Sequence, residues 1–126
     1  NISFVSLEKL LNDSDIVSLH LPYSKETHHL INAQTISLMK QSSYLVNTSR
    51  GGLVDEDALY HSLQSGQIAG AAIDCFENEP YTGLLTELDN VLLTGHIGSY
   101  AREGRVFMEK QAVENLSTML VNKGVL

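Results

Sequence analysis

Arg50, Asp74, Glu79 and His96 are the residues whose types could handle an anion and a proton together. They stand in N-T-S-R-G-G (47–52), I-D-C-F-E-N-E-P (73–80) and T-G-H-I-G-S (94–99). A carboxylate beside an imidazole favours its proton-bearing form and fixes its orientation. A guanidinium offers a planar fork to a carboxylate or a polarised carbonyl. These are the parts needed to reduce a 2-oxo acid. Arg50 would hold the substrate and His96 would deliver a proton to its oxygen. Glu79 would keep His96 charged and oriented while hydride arrives from a nicotinamide.

For that to work, elements of structure must bring the residues to one place. Four apolar runs, "DIVSLHL", "SYLVNTS", "IAGAAID" and "NVLLTG", read as strands. Between and around them lie helical stretches. "SLEKLLND" places Leu7, Leu10 and Leu11 on one face behind an N-cap at Ser6, and "NAQTISLMK" starts at Asn32. "EDALYHSLQ" starts behind Asp55 and stops at Gly66. A last helix is expected from about Ser99 to Lys123, with Val106, Val113, Leu116 and Leu120 along one side and Gly124 ending it. Strands that are apolar throughout, separated by crossovers, predict an α/β fold: a Rossmann-type parallel sheet with helices on both faces. In such a sheet ligands bind beyond the carboxyl ends of the strands. Leu21 and Pro22, Ser49 and Arg50, Asp74 and Glu79, and His96 with Gly98 and Ser99 all follow strands, so they share one edge.

The bulk properties narrow the classes. The chain has 126 residues, 43% hydrophobic and 18% charged, which suits one compact domain, 1–126. A net charge of −7 argues against nucleic acid and anionic membrane as partners, and no apolar run is long enough to span a bilayer. A single cysteine, Cys75, fits a cytoplasmic setting and is expected to be a packing residue. His28 and His29 are adjacent in a loop with no acid cluster in sequence to complete a site, so no metal is expected. Glu77 and Glu87 read as solvated loop acids, and His20 and His61 as structural or surface residues. Taken singly, Arg50 is also readable as a loop cation capping carbonyls, His96 as a loop histidine and Asp74 as a turn cap.

"VNTSRGGLVDEDAL", "IAGAAIDCFENEP" and "LLTGHIGS" together resemble the D-isomer-specific 2-hydroxyacid dehydrogenases, a likeness that extends from "SLEKLLNDSDIVSLHLP" to "AVENL". The resemblance implies Arg50, Glu79 and His96 as the catalytic set. It places Leu21, Pro22, Thr48, Ser49, Asp74, Gly98 and Ser99, together with His96, along an NAD cofactor. It implies a small 2-hydroxy or 2-oxo acid as substrate, NAD in preference to NADP, and a homodimer. "GSYAREGRVFMEKQAVENL" resembles the phosphoglycerate and hydroxypyruvate branches.

There are two departures from the family pattern. Gly95 stands where the family usually has proline, which would leave His96 less rigidly presented. The G-x-G-x-x-G turn that seats the pyrophosphate on a helix N-terminus does not occur in these residues, nor does the acid that should follow it. The expectation is therefore an incomplete sheet without its first βαβ unit. The chain would be the C-terminal portion of an NAD-binding domain, with the substrate-binding domain absent. Alone, it would be inactive and would bind NAD weakly. The family also holds corepressors that use NAD binding to control assembly, so a non-catalytic NAD-sensing or dimerisation module is the alternative.

Overall fold

The computed structural model describes residues 2–124. Four short strands, β1 (Ile16–Leu19), β2 (Tyr44–Asn47), β3 (Gly70–Ile73) and β4 (Val91–Leu93), form one parallel sheet in that spatial order. Val17 stands beside Leu45, Leu45 beside Ala71 and Ala71 beside Val91. Each strand lies within the apolar run expected for it. Parallel neighbours need crossovers. These are α2 (Ala33–Ile36), α3 (Glu56–Gln64) and a 3-10 turn (Leu84–Glu87), while α1 (Leu7–Asp13) precedes β1.

Helix starts follow from local chemistry. Ser6 Oγ accepts from the Lys9 N–H at 3.3 Å. Asn32 Oδ1 accepts from Gln34 and Thr35, and Thr35 Oγ1 accepts from the Asn32 N–H at 2.8 Å, which closes a capping box. Asp55 Oδ1 accepts from the Ala58 N–H at 3.0 Å, with Glu56 and Asp57 in the first turn, and Gly66 (φ +71°) follows the helix end. Asp55→Ala is expected to cost about 1 kcal/mol, read as a lower urea midpoint at unchanged slope.

The core occupies one face of the sheet. Val17, Leu19, Leu45, Ala71 and Ile73 are buried there with Leu11, Ile31, Leu53, Leu59, Leu63 and Leu85. On the opposite face Ile16, Tyr44 and Leu92 are 65%, 51% and 64% exposed. The strands thus alternate in burial, where uninterrupted apolar runs predicted cover on both sides. The physical reason is topological. Right-handed crossovers between strands laid down in one direction carry every connection to the same face. In α1 only Leu11 is buried; Leu7 and Leu10, expected beside it, are each 38% exposed.

One compact unit runs to His96, and a second begins at Ile97. The second opens with a turn in which the Tyr100 N–H donates to the Ile97 carbonyl at 2.9 Å. It continues as α4 (Arg102–Asn122), which Lys123 caps and Gly124 (φ +66°) follows. The helix starts three residues later than Ser99 and buries no residue along its length. Val106, Val113 and Leu116, which the sequence sets along one side, are exposed, and Leu120 is partly exposed. Successive apolar residues such as Val106, Phe107 and Met108 lie about 100° apart, so they do not concentrate on one stripe. Among the described residues no helix is long and apolar enough to cross a membrane.

Candidate functional site

Everything of chemical interest in the first unit lies beyond the carboxyl ends of the strands, where the topology delivers it. At the end of β2, the fully buried Asn47 shapes the turn that presents Arg50. Its Oδ1 accepts from the Ser49 N–H at 3.1 Å and its Nδ2 donates to the Arg50 carbonyl at 2.9 Å. Ser49 Oγ donates to the Leu19 carbonyl at 2.6 Å and so ties the ends of β1 and β2 together. Arg50 itself is exposed, and its Nη1 donates to the Ser49 carbonyl at 2.6 Å. That contact is the capping one that the residue type alone allows, and it leaves most of the guanidinium's five donors for other acceptors.

Gly51 follows for a reason of space. A Cβ there would lie 1.9 Å from the Phe76 carbonyl carbon and 2.3 Å from the Glu77 nitrogen. The turn after β2 therefore packs backbone to backbone on the loop after β3, and only glycine permits it.

After β3, the Asp74 N–H donates to the Asn47 carbonyl at 2.9 Å, and its buried carboxylate accepts from Thr94 Oγ1 at 2.5 Å. Five residues on, Glu79 turns back. Its Oε1 accepts from the Phe76 N–H at 3.0 Å, and both carboxylate oxygens lie 3.0 Å from His96 Nδ1. The Phe76 N–H, and after it the His96 imidazole, hold the Glu79 carboxyl below the usual carboxylate range. Glu79 and His96 are thus brought together as the sequence predicted. His96 has φ +56°, a left-handed conformation that a non-glycine residue seldom takes. Gly95, just before it, has open space where a side chain would go.

Two clefts flank this arrangement. The larger, about 1020 Å³, is lined by Leu21, Pro22, Ser49 and Arg50, with His20, Glu77 and Asn78 among its walls. The smaller, about 300 Å³, is lined by Glu79, Thr94 and Gly95, and Phe76 borders both. Arg50 and Glu79 accordingly open on neighbouring clefts, and His96 reaches the arrangement through its contact with Glu79. Thr48 is exposed beside them and Asp74 lies beneath, whereas Gly98 and Ser99 belong to the second unit and are exposed there. Asn47, Thr94 and Gly51 carry positioning roles that sequence reading did not assign. Asn47 ends a strand otherwise apolar, and that was the available signal.

Leu21, Pro22 and Ser49 offer apolar and hydroxyl surface to the larger cleft at the strand ends, which suits a nicotinamide and its ribose. No G-x-G-x-x-G segment is present among these residues to cradle a pyrophosphate.

The family profile described as "D-isomer specific 2-hydroxyacid dehydrogenase, NAD binding domain" matches residues 1–98. A glyoxylate reductase of Thermofilum pendens is 47% identical over 100% of this chain and 40% of its own length. A D-lactate dehydrogenase of Treponema pallidum is 39% identical over 94% of this chain and 40% of its own. A solved structure, the D-lactate dehydrogenase of Aquifex aeolicus complexed with NAD and lactic acid, superposes with a TM-score of 0.79. It is 37% identical over 95% of this chain and 41% of that one. The chain thus spans about two fifths of the length of the relatives it matches.

Proposed function

The chain belongs to the D-isomer specific 2-hydroxyacid dehydrogenase family, and on that premise we propose that it forms part of an NAD-dependent oxidoreductase acting on a small D-2-hydroxy acid or its 2-oxo form. NAD, when bound, supplies or accepts the hydride at the substrate's C2. The protein's own residues do the rest. Arg50 holds the substrate carboxylate and polarises its carbonyl. His96 gives its proton to the carbonyl oxygen during reduction and takes it back from the hydroxyl during oxidation. Glu79 orients the imidazole and balances its charge. Leu21, Pro22, Thr48, Ser49, Asp74, Gly98 and Ser99 lie along the cofactor.

The observation that carries this reading is the Glu79 carboxylate set 3.0 Å from His96 Nδ1 through both oxygens, at the carboxyl edge of the sheet. With Nδ1 given to Glu79, Nε2 is the nitrogen left to exchange a proton with substrate. The 126 residues are proposed as the C-terminal portion of the NAD-binding domain. The strand order supports this, since it shows no reversal of the kind that marks a complete doubly wound sheet. The phosphate cradle and the substrate-binding domain would come from further residues, and the assembly is proposed as a cytoplasmic homodimer.

The test is NADH oxidation, followed by absorbance, in the full-length protein containing these residues, against glyoxylate, hydroxypyruvate, pyruvate and phosphorylated 2-oxo acids. Glyoxylate leads because the Thermofilum pendens relative carries that substrate in its name. Turnover with at least one acid, and its collapse in Arg50→Ala, is the expected result. No turnover with any acid, alongside NAD-dependent assembly, would overturn the enzyme reading and leave an NAD sensor.

A further inference from the structure

Three side chains with no part in the proposed reaction meet beside the larger cleft, whose walls include two of them, His28 and Glu77. The His28 and His29 rings stack with centroids 3.8 Å apart and planes 27° from parallel. Glu77, on the loop after β3, brings Oε1 to 2.5 Å from His29 Nε2 across 48 residues of sequence. One ligand atom from each of the three lies within 4.8 Å of the other two. The expectation of no metal rested on adjacency in a loop and on the lack of an acid cluster in sequence, and two features of the geometry bear on both grounds. His29 takes φ +49°, out of the extended region in which adjacent side chains point to opposite sides. The acid arrives from a distant loop that no local reading connects to the pair.

Both loops are fixed in place. The His29 N–H donates to the Gly52 carbonyl at 2.9 Å, and Asn32 Nδ2 donates to the His29 carbonyl at 2.9 Å. The Glu77 N–H donates to Glu56 Oε1 at 2.8 Å. Tyr23 Oη lies 3.3 Å from His28 Nδ1, a partner that orients the ring from behind. A left-handed non-glycine residue held through its N–H and carbonyl, with two further donors gathered beside it, is arranged in advance.

We propose that His28, His29 and Glu77 form a binding site for a divalent transition cation of the zinc, cobalt or nickel kind. Two imidazoles and one carboxylate are the donors such borderline cations prefer, and the carboxylate offsets part of the charge. Donors around a four-coordinate zinc sit about 2.0–2.1 Å from the metal and therefore roughly 3.3 Å from one another. The His29–Glu77 contact has to open by less than about 1 Å and the widest pair to close by roughly 1.5 Å, within the reach of rotamer adjustment. The His29 and Glu77 side chains are 32% and 34% exposed, so an ion can enter from solvent while water fills its remaining positions. The bound ion would clip the loop after β1 to the loop after β3. This site does not depend on the dehydrogenase reading.

Cobalt(II) titrated into the metal-free, tag-free protein tests the proposal, followed by its visible d–d absorption and by calorimetry. One saturable equivalent per chain is expected, with a rise in Tm at saturation. Glu77→Gln, His28→Ala and His29→Asn should each weaken Kd at least tenfold, asparagine being chosen because it tolerates a left-handed backbone. His61→Ala, on α3 and outside the cluster, should leave Kd unchanged. Absence of saturable binding, binding that survives Glu77→Gln and His28→Ala, or binding lost in His61→Ala would each overturn the site. If His29→Asn does not fold, the other two variants decide.

Discussion

His96→Asn in the active full-length protein is expected to lower kcat by roughly 10²–10⁴-fold, the usual contribution of a positioned general acid–base. Asparagine is the informative replacement because His96 sits at φ +56°. Asparagine enters that region more readily than other non-glycine residues, so the loop should keep its course. What disappears is a nitrogen that can carry a proton. The Glu79 carboxylate, now 3.0 Å from Nδ1, keeps a hydrogen-bonding neighbour in the variant and still accepts from the Phe76 N–H. The loss should therefore fall on kcat, with NADH affinity, read by fluorescence titration, within a few-fold of the parent. A kcat within tenfold of the parent would remove His96 from the proposed reaction.

Gly51→Ala is expected to cost about 3 kcal/mol, at the upper end of what overpacking usually does. For a unit of this size that corresponds to a Tm lower by roughly 12–24 °C. The number rests on what the added methyl would meet, which is the Phe76 carbonyl carbon at 1.9 Å, its oxygen at 2.2 Å and the Glu77 nitrogen at 2.3 Å. All three are backbone atoms, so no rotamer change relieves the contact. The loop after β3 has to move, and Glu79 moves with it, so activity should fall along with stability. Gly104→Ala is the control, since nothing lies within 4 Å of a methyl at that position. Thermal denaturation followed by circular dichroism separates the two. A Gly51→Ala melting point within about 2 °C of the parent would contradict the close approach.

What could be read from the sequence was whatever depends on neighbours along the chain or on the direction of the strands. Ser6, Asn32 and Asp55 declare helix starts by residue type, and all three accept the expected backbone N–H groups. Glu79 and His96 follow different strands, but parallel strands end on one edge, so their meeting was foreseeable. The same logic could not connect Glu77 to His29. Both follow strands too, yet their contact depends on the depth of two loops and on the left-handed conformation of His29 itself. Nor could it show that Gly51 has no room for a methyl, because the second backbone is 25 residues away and nothing in G-G distinguishes close packing from a turn. The open face of the sheet was hidden for another reason. Ile16, Tyr44 and Leu92 are apolar like their buried neighbours, and burial is decided by which side the crossovers take.

The unidirectional strand order also bears on how the chain comes together during synthesis. Ile16 pairs with Tyr44, Tyr44 with Gly70 and Ala71 with Val91, so each strand needs only the one made just before it. None has to wait for a later segment to slot in between two already formed. Loop closures of similar, moderate length recur, and no step carries the entropic cost of spanning the whole chain. These four strands can therefore assemble at one edge as the polypeptide leaves the ribosome, β4 joining after β3.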